Sequence, residues 1–125
     1  MFVPFNPNPK LRQTGDCVIR AIGKLTGKDW NETYIKIVET GYRLKAMPSE
    51  NFVWESYLKA SGYKKRLLPD ACPDCYTVAT FAADNPQGAF LLATGSHVVA
   101  VIDGNYYDTW DSGDEVPLYY FIKEG

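Results

Sequence analysis

Two hydrophobic rhythms divide this chain. In its first half apolar residues recur at helical spacing; in its last third they fall in short runs separated by turn residues. From Cys17, the positions Val18, Ala21, Ile22 and Leu25 follow the i, i+3, i+4, i+7 rule of a helix with one buried face. Asp16 stands at the N-cap and Thr26-Gly27 closes the run. A second helix is predicted from about Asn31, capped by Asn31-Glu32-Thr33, with Tyr34, Ile35, Val38 and Tyr42 facing inward and an end before Pro48. A third starts near Ser49, where Phe52 replaces the acid of a full capping box. Its stripe is Phe52, Val53, Tyr57 and Leu58, and Gly62 is its C′ residue. A short helix over residues 77–83, capped by Thr77, leads into the turn Asn85-Pro86-Gln87-Gly88.

The strand-like segments come late. After a short one at Lys65 to Leu68, the runs 89–93, 97–102, 106–110 and 118–122 read as four β segments, with Asp103-Gly104-Asn105 as a hairpin turn between two of them. Residues 1–12, rich in Pro and Asn, predict an extended arm rather than a helix or regular strand. Helices first and strands later imply an α+β domain, with N-terminal helices packed on a C-terminal antiparallel sheet.

Composition narrows the partners. At 125 residues the chain is long enough for one well-formed core, hence a single domain over 1–125. Its hydrophobic fraction of 46% and charged fraction of 22% are those of a folded globular protein. A net charge of −2 argues against a nucleic-acid binder, and Lys64-Lys65-Arg66 is too short to be a basic patch. No run approaches the roughly 20 apolar residues of a membrane span, and Met1 to Pro9 lacks the pattern of a signal peptide. Three cysteines cannot all pair with one another, so reduced thiols and a cytoplasmic location are expected.

The chemistry gathers at three positions. His97 is the only histidine. Cys17 lies far before it at a helix start, and Asp108 follows it beyond the hairpin. Cysteine, histidine and carboxylate in that order suit a thiol nucleophile, an imidazole base and an acid that orients the base. The first turn of a helix directs unpaired N–H groups and the positive dipole end at the Cys17 sulfur, and those N–H groups can also hold an oxyanion. Opposed residues on antiparallel strands share a face. A two-residue turn therefore puts Asp108 on the His97 side, and a three-residue turn puts Asp111 there; the commoner two-residue turn favours Asp108.

These residues carry a resemblance. The segment from His97-Val98-Val99 to Tyr107-Asp108-Thr109-Trp110 resembles the histidine strand and Asn-Ser-Trp segment of papain-like cysteine peptidases. The resemblance implies that Asp108 takes the asparagine position and that Trp110 shields the histidine contact from water. Gln13-Thr14-Gly15-Asp16-Cys17 is similar to the segment in which a glutamine amide completes the oxyanion hole, a role it implies for Gln13 beside the N–H of Cys17. Asp108 in third place is similar to the compact bacteriocin-processing branch. Gly15 to Ile22 and Tyr106 to Asp111 also resemble small proteins of phages and bacterial mobile elements. The likeness covers both ends of the chain and leaves out roughly residues 28–88. Only Thr14, Gly15 and Asp16 separate Gln13 from Cys17, fewer than the family usually has, and the Cys-Gly-Ser-Cys-Trp motif is absent.

Other features have plainer readings. Cys72-Pro73-Asp74-Cys75 could be half a zinc site or a redox pair, but no second such pair exists, and two ordinary cysteines around a proline turn fit better. Arg20 could pair with Asp16 or point at an acidic ligand group, and a surface ion pair is the expectation. Trp30, Trp54, Tyr57 and Tyr63 read as core and groove residues, and the acidic segment Asp111 to Glu115 as a solvated loop. Two functions stay open. One is acyl transfer on a peptide or protein substrate with no cofactor or metal. The other is a catalytically idle binding protein on the same fold, an inhibitor or adaptor of phage or mobile-element origin.

Overall fold

A computed structural model describes residues 1–68 and 76–123. It is an α+β fold with the chain order β1 (Phe2–Pro4), α1 (Cys17–Thr26), α2 (Trp30–Leu44), α3 (Asn51–Ala60), β2 (Tyr63–Leu67), α4 (Val78–Asp84), β3 (Ala89–Ala93), β4 (Val98–Ile102), β5 (Asn105–Asp108) and β6 (Tyr119–Lys123). Cys72 and Cys75 lie outside the described residues.

The sheet has six strands in the order β1-β5-β4-β3-β6-β2. Every neighbouring pair is antiparallel except β1, which runs parallel to β5. The sheet is thus mixed, and the expected N-terminal arm begins as a regular strand. Pro4 ends that strand at the sheet edge, where a missing N–H costs no ladder bond.

Two cores sandwich the sheet. On one face Ile22 and Leu25 of α1, Ile37 of α2, and Val53, Trp54 and Leu58 of α3 pack against Leu91, Ala93, Val98, Ala100 and Phe121. On the other, Val78, Phe81 and Ala82 of α4 pack against Phe90, Leu92, Val99, Val101 and Tyr106. Strands β3 and β4 are therefore covered on both sides, which explains their unbroken apolar runs.

The largest correction concerns α2. Its buried residues are Thr33, Ile37, Thr40 and Gly41, whereas Tyr34, Ile35, Val38 and Tyr42 are exposed. Threonines tolerate burial here because each hydroxyl donates to its own helix, Thr33 to the Asp29 carbonyl (2.8 Å) and Thr40 to the Lys36 carbonyl (2.8 Å). Gly41 permits a close return of the chain, since a Cβ there would lie 2.8 Å from the Ala46 carbonyl oxygen. The cap is Asp29 rather than Asn31, accepting from the Glu32 N–H at 2.7 Å. In α3 the apolar stripe is shifted as well: Trp54 is buried and Phe52 is exposed.

Candidate active site

The Asp103-Gly104 turn fixes the geometry. Both residues have positive φ (51° and 81°) and Ile102 pairs with Asn105, so the β4–β5 loop has two residues with the twist a hairpin needs. His97 immediately precedes β4 and Asp108 ends β5. Residues of their parity, Val99 and Val101, face α4, while α1 covers the opposite face. Both side chains sit at the rim of the sheet, past the last β4–β5 rung between Ala100 and Tyr107, where groups from the two faces can meet.

There the structure brings the three candidate residues together. His97 Nε2 lies 2.6 Å from Asp108 Oδ2, and the same imidazole shares a hydrogen bond with the Cys17 thiol. Because Nε2 is engaged by Asp108, Nδ1 is the nitrogen left for the sulfur. The Val98 N–H also donates to the Cys17 sulfur. Asp16 holds the N-cap position of α1 but makes no side-chain cap bond, so it occupies none of the first-turn N–H groups behind the sulfur.

Asp108, 1% exposed, is saturated with donors. Oδ1 accepts from the Thr109 N–H (2.8 Å) and Arg20 Nη2 (3.1 Å); Oδ2 accepts from Ser112 Oγ (2.7 Å) besides His97. Asp111 is engaged elsewhere, accepting from the Tyr106 hydroxyl (2.6 Å) and the Gly113 N–H (3.0 Å).

Electrostatics follow from this packing. Burial pushes the Cys17 thiol up, but the hydrogen bonds from His97 and Val98, with the charges of His97 and Arg20, leave it below its ordinary value. Burial pulls His97 down, yet Asp108 and Cys17 together raise it to about 9. Asp108 ends below the usual carboxylate range because its donors outweigh burial. Each partner favours the charged form of the next, which is the condition for a thiolate–imidazolium pair at neutral pH.

Trp110 lies over His97, with ring centroids 5.1 Å apart, and remains partly open to solvent. Gln13 is exposed and does not line the cleft onto which Cys17 and His97 open. That cleft has a volume of about 940 Å³ and is bounded by the loop before α1, by Trp30, Tyr34 and Val38 of α2, and by Gly95 and Ser96 before His97. Among the described residues no cluster of three or more His, Cys, Asp or Glu side chains could hold a metal ion, and no helix is long and apolar enough to cross a membrane.

Three features around the site go beyond what the sequence indicated. Arg20 pairs with Asp16 as expected, but it is buried rather than superficial and also reaches Asp108, joining the two carboxylates through its two terminal nitrogens. Asp16 in turn accepts from Trp30 Nε1 at 2.9 Å, tying α2 to the residue before Cys17. Ser112, assigned to a solvated loop, is fully buried under Asp108. A signal existed for Arg20: it falls between Ile19 and Ala21-Ile22 in a strongly apolar stretch, where a cation needs a buried partner. Nothing local distinguishes Ser112. No protein-family model, curated protein or solved structure matches the chain.

Proposed function

We propose that this protein is a papain-like cysteine enzyme that breaks a peptide or isopeptide-type amide by acyl transfer, with Cys17 as nucleophile, His97 as acid–base and Asp108 as orienting carboxylate. The observation that carries this reading is the convergence of the three, Cys17 and His97 opening onto one cleft with Asp108 buried behind the imidazole and the sulfur at a helix N-terminus without a side-chain cap. The thiolate attacks the substrate carbonyl, and the resulting oxyanion is held by the backbone N–H of Cys17. The His97 imidazolium gives its proton to the leaving amine as the C–N bond breaks, leaving a thioester on Cys17. His97 then takes a proton from water, or from an acceptor amine, as it attacks that thioester, and the thiol is regenerated. Asp108 holds the ring by Nε2 so that Nδ1 stays directed at the sulfur. The reading assigns no step to the surface residue Gln13.

Iodoacetamide labelling, located by peptide mass spectrometry, tests this. Cys17 should alkylate much faster than an unactivated thiol, and His97→Ala should abolish the advantage. A trapped acyl adduct on Cys17 after incubation with a lysate would identify the acyl donor. Slow labelling that is indifferent to His97→Ala would favour the idle binding protein instead.

A further inference from the structure

The cleft beside Cys17 has a chemical bias that the triad itself does not need. Of the charged side chains lining it other than His97, Asp16 is buried and neutralised by Arg20, whereas Lys10 and Arg12 are exposed. Neither Lys10 nor Arg12 has an ion-pair partner among the described residues. Among the described residues, and apart from the Cys17–His97 pair, a chain of net charge −2 thus presents cations alone at the open part of its cleft.

The loop carrying these cations is built rather than loose. Asn8, itself buried, accepts the Lys10 N–H on Oδ1 (2.9 Å) and the Leu11 N–H on its carbonyl (2.8 Å), and Asn6 Nδ2 donates to the Arg12 carbonyl. Its chain runs directly into Cys17.

The other wall is apolar and also tethered to the nucleophile. Trp30 is held by Asp16, the residue before Cys17, and stacks on Tyr34 with centroids 5.0 Å apart and planes 16° from parallel. Tyr34 is 47% exposed and Val38 37%, and both line the cleft. A stacked aromatic pair with an adjacent valine, open to solvent, accepts a large flat or branched side chain.

We propose that the cleft selects a peptide segment that pairs an acidic residue with a large apolar or aromatic one, the carboxylate meeting Lys10 and Arg12 and the apolar side chain lying on Trp30, Tyr34 and Val38. This specifies the substrate class of the enzyme proposed above and rests on that reading for its catalytic meaning. The volume of about 940 Å³ lies at the upper end of ordinary ligand pockets, room for a segment of several residues.

The test uses the full chain with Cys17→Ala, so that binding is read apart from reactivity, and fluorescent peptide amides followed by polarisation. The probes contain Glu-Phe, Lys-Phe, Glu-Ala or Lys-Ala in an otherwise Gly-Ser sequence. The Glu-Phe probe should bind about tenfold or more tighter than Lys-Phe at low salt, with the gap closing as ionic strength rises. Lys10→Glu/Arg12→Glu should reverse the charge preference while leaving Phe over Ala intact. Tyr34→Ala should reduce the Phe preference while leaving Glu over Lys intact. Equal binding of the four probes, or a charge preference unmoved by the double reversal, overturns the proposal. Iodoacetamide labelling of the unsubstituted chain is read alongside: if Cys17 is activated but the probes are not distinguished, the substrate class fails alone. If the probes are distinguished and Cys17 is inert, recognition stands and the enzyme reading falls.

Discussion

Replacing Arg20 with Met removes the cation that joins Asp16 to Asp108 and keeps most of the apolar volume of the side chain. Arg20 is 5% exposed and its contact to Asp108 spans 3.1 Å, so neither carboxylate can recover the lost partner from bulk water. Breaking a buried ion pair by deleting one partner typically costs about 3–5 kcal/mol, because a buried charge is left uncompensated. A surface pair in the same positions would cost about 0–1 kcal/mol. For a domain whose whole stability is about 5–15 kcal/mol, the first outcome is a large fraction and the second is barely measurable.

Urea unfolding at pH 7 separates the two. Arg20→Met should shift the midpoint by the equivalent of about 3 kcal/mol or more at unchanged m-value. Arg20→Lys, with a point charge instead of a fork, cannot span both carboxylates and should fall between. Asp108 is held below the usual carboxylate range and loses its charge in acid, so the deficit should shrink when unfolding is repeated there. A loss under about 1 kcal/mol at pH 7, or a deficit that grows in acid, would refute the idea that Arg20 acts as a buried bridge.

The other predictions concern the same rim. His97 has a folded value of about 9 against 6.5 for an ordinary histidine, so the folded state binds the proton more tightly. Its stabilising contribution is complete below about pH 6.5 and lost as pH rises towards 9, a decline that thermal melts should show in the unsubstituted chain and not in His97→Gln. Cys17 alkylation should reach half its full rate below the 9.0 of an ordinary thiol, and His97→Ala should move that midpoint upward in a pH series. Ser112→Ala deletes a fully buried donor to an ionised carboxylate and should cost about 1.5–3 kcal/mol in chemical unfolding. Trp30→Phe keeps an aromatic ring for Tyr34 but removes the donor to Asp16, and should cost about 1–2 kcal/mol by the same assay.

Much of the frame was legible because local rules sufficed for it. The α1 stripe, the Thr77 cap of α4, the β3 run and the Asp103-Gly104 turn are each set by a few adjacent residues. Parity across that turn even selects between Asp108 and Asp111 as the partner of His97, and the structure puts Asp108 at 2.6 Å. What local rules could not supply is the closing of the sheet edge. The parallel pairing of Phe2–Pro4 with Tyr106–Asp108 joins residues about a hundred positions apart, and no composition rule for a Pro-rich arm encodes it.

The misread face of α2 has a different origin. A helix with apolar residues on two sides carries two candidate stripes, and periodicity alone favours the more hydrophobic one as core. Here the weaker stripe (Thr33, Ile37, Thr40, Gly41) is buried because its hydroxyls are satisfied within the helix and its glycine admits close packing. Of the stronger stripe, Tyr34 and Val38 open onto the cleft beside Cys17. Leaving them in water forgoes the stabilisation of burying large side chains, about 1.5–3 kcal/mol each when burial is complete. The buried face can spare it because α2 is also held at its start, where Asp29 caps the helix and Trp30 is bonded to Asp16. An apolar surface kept open next to a candidate catalytic sulfur and tied to the residue before it is what a substrate-binding wall requires.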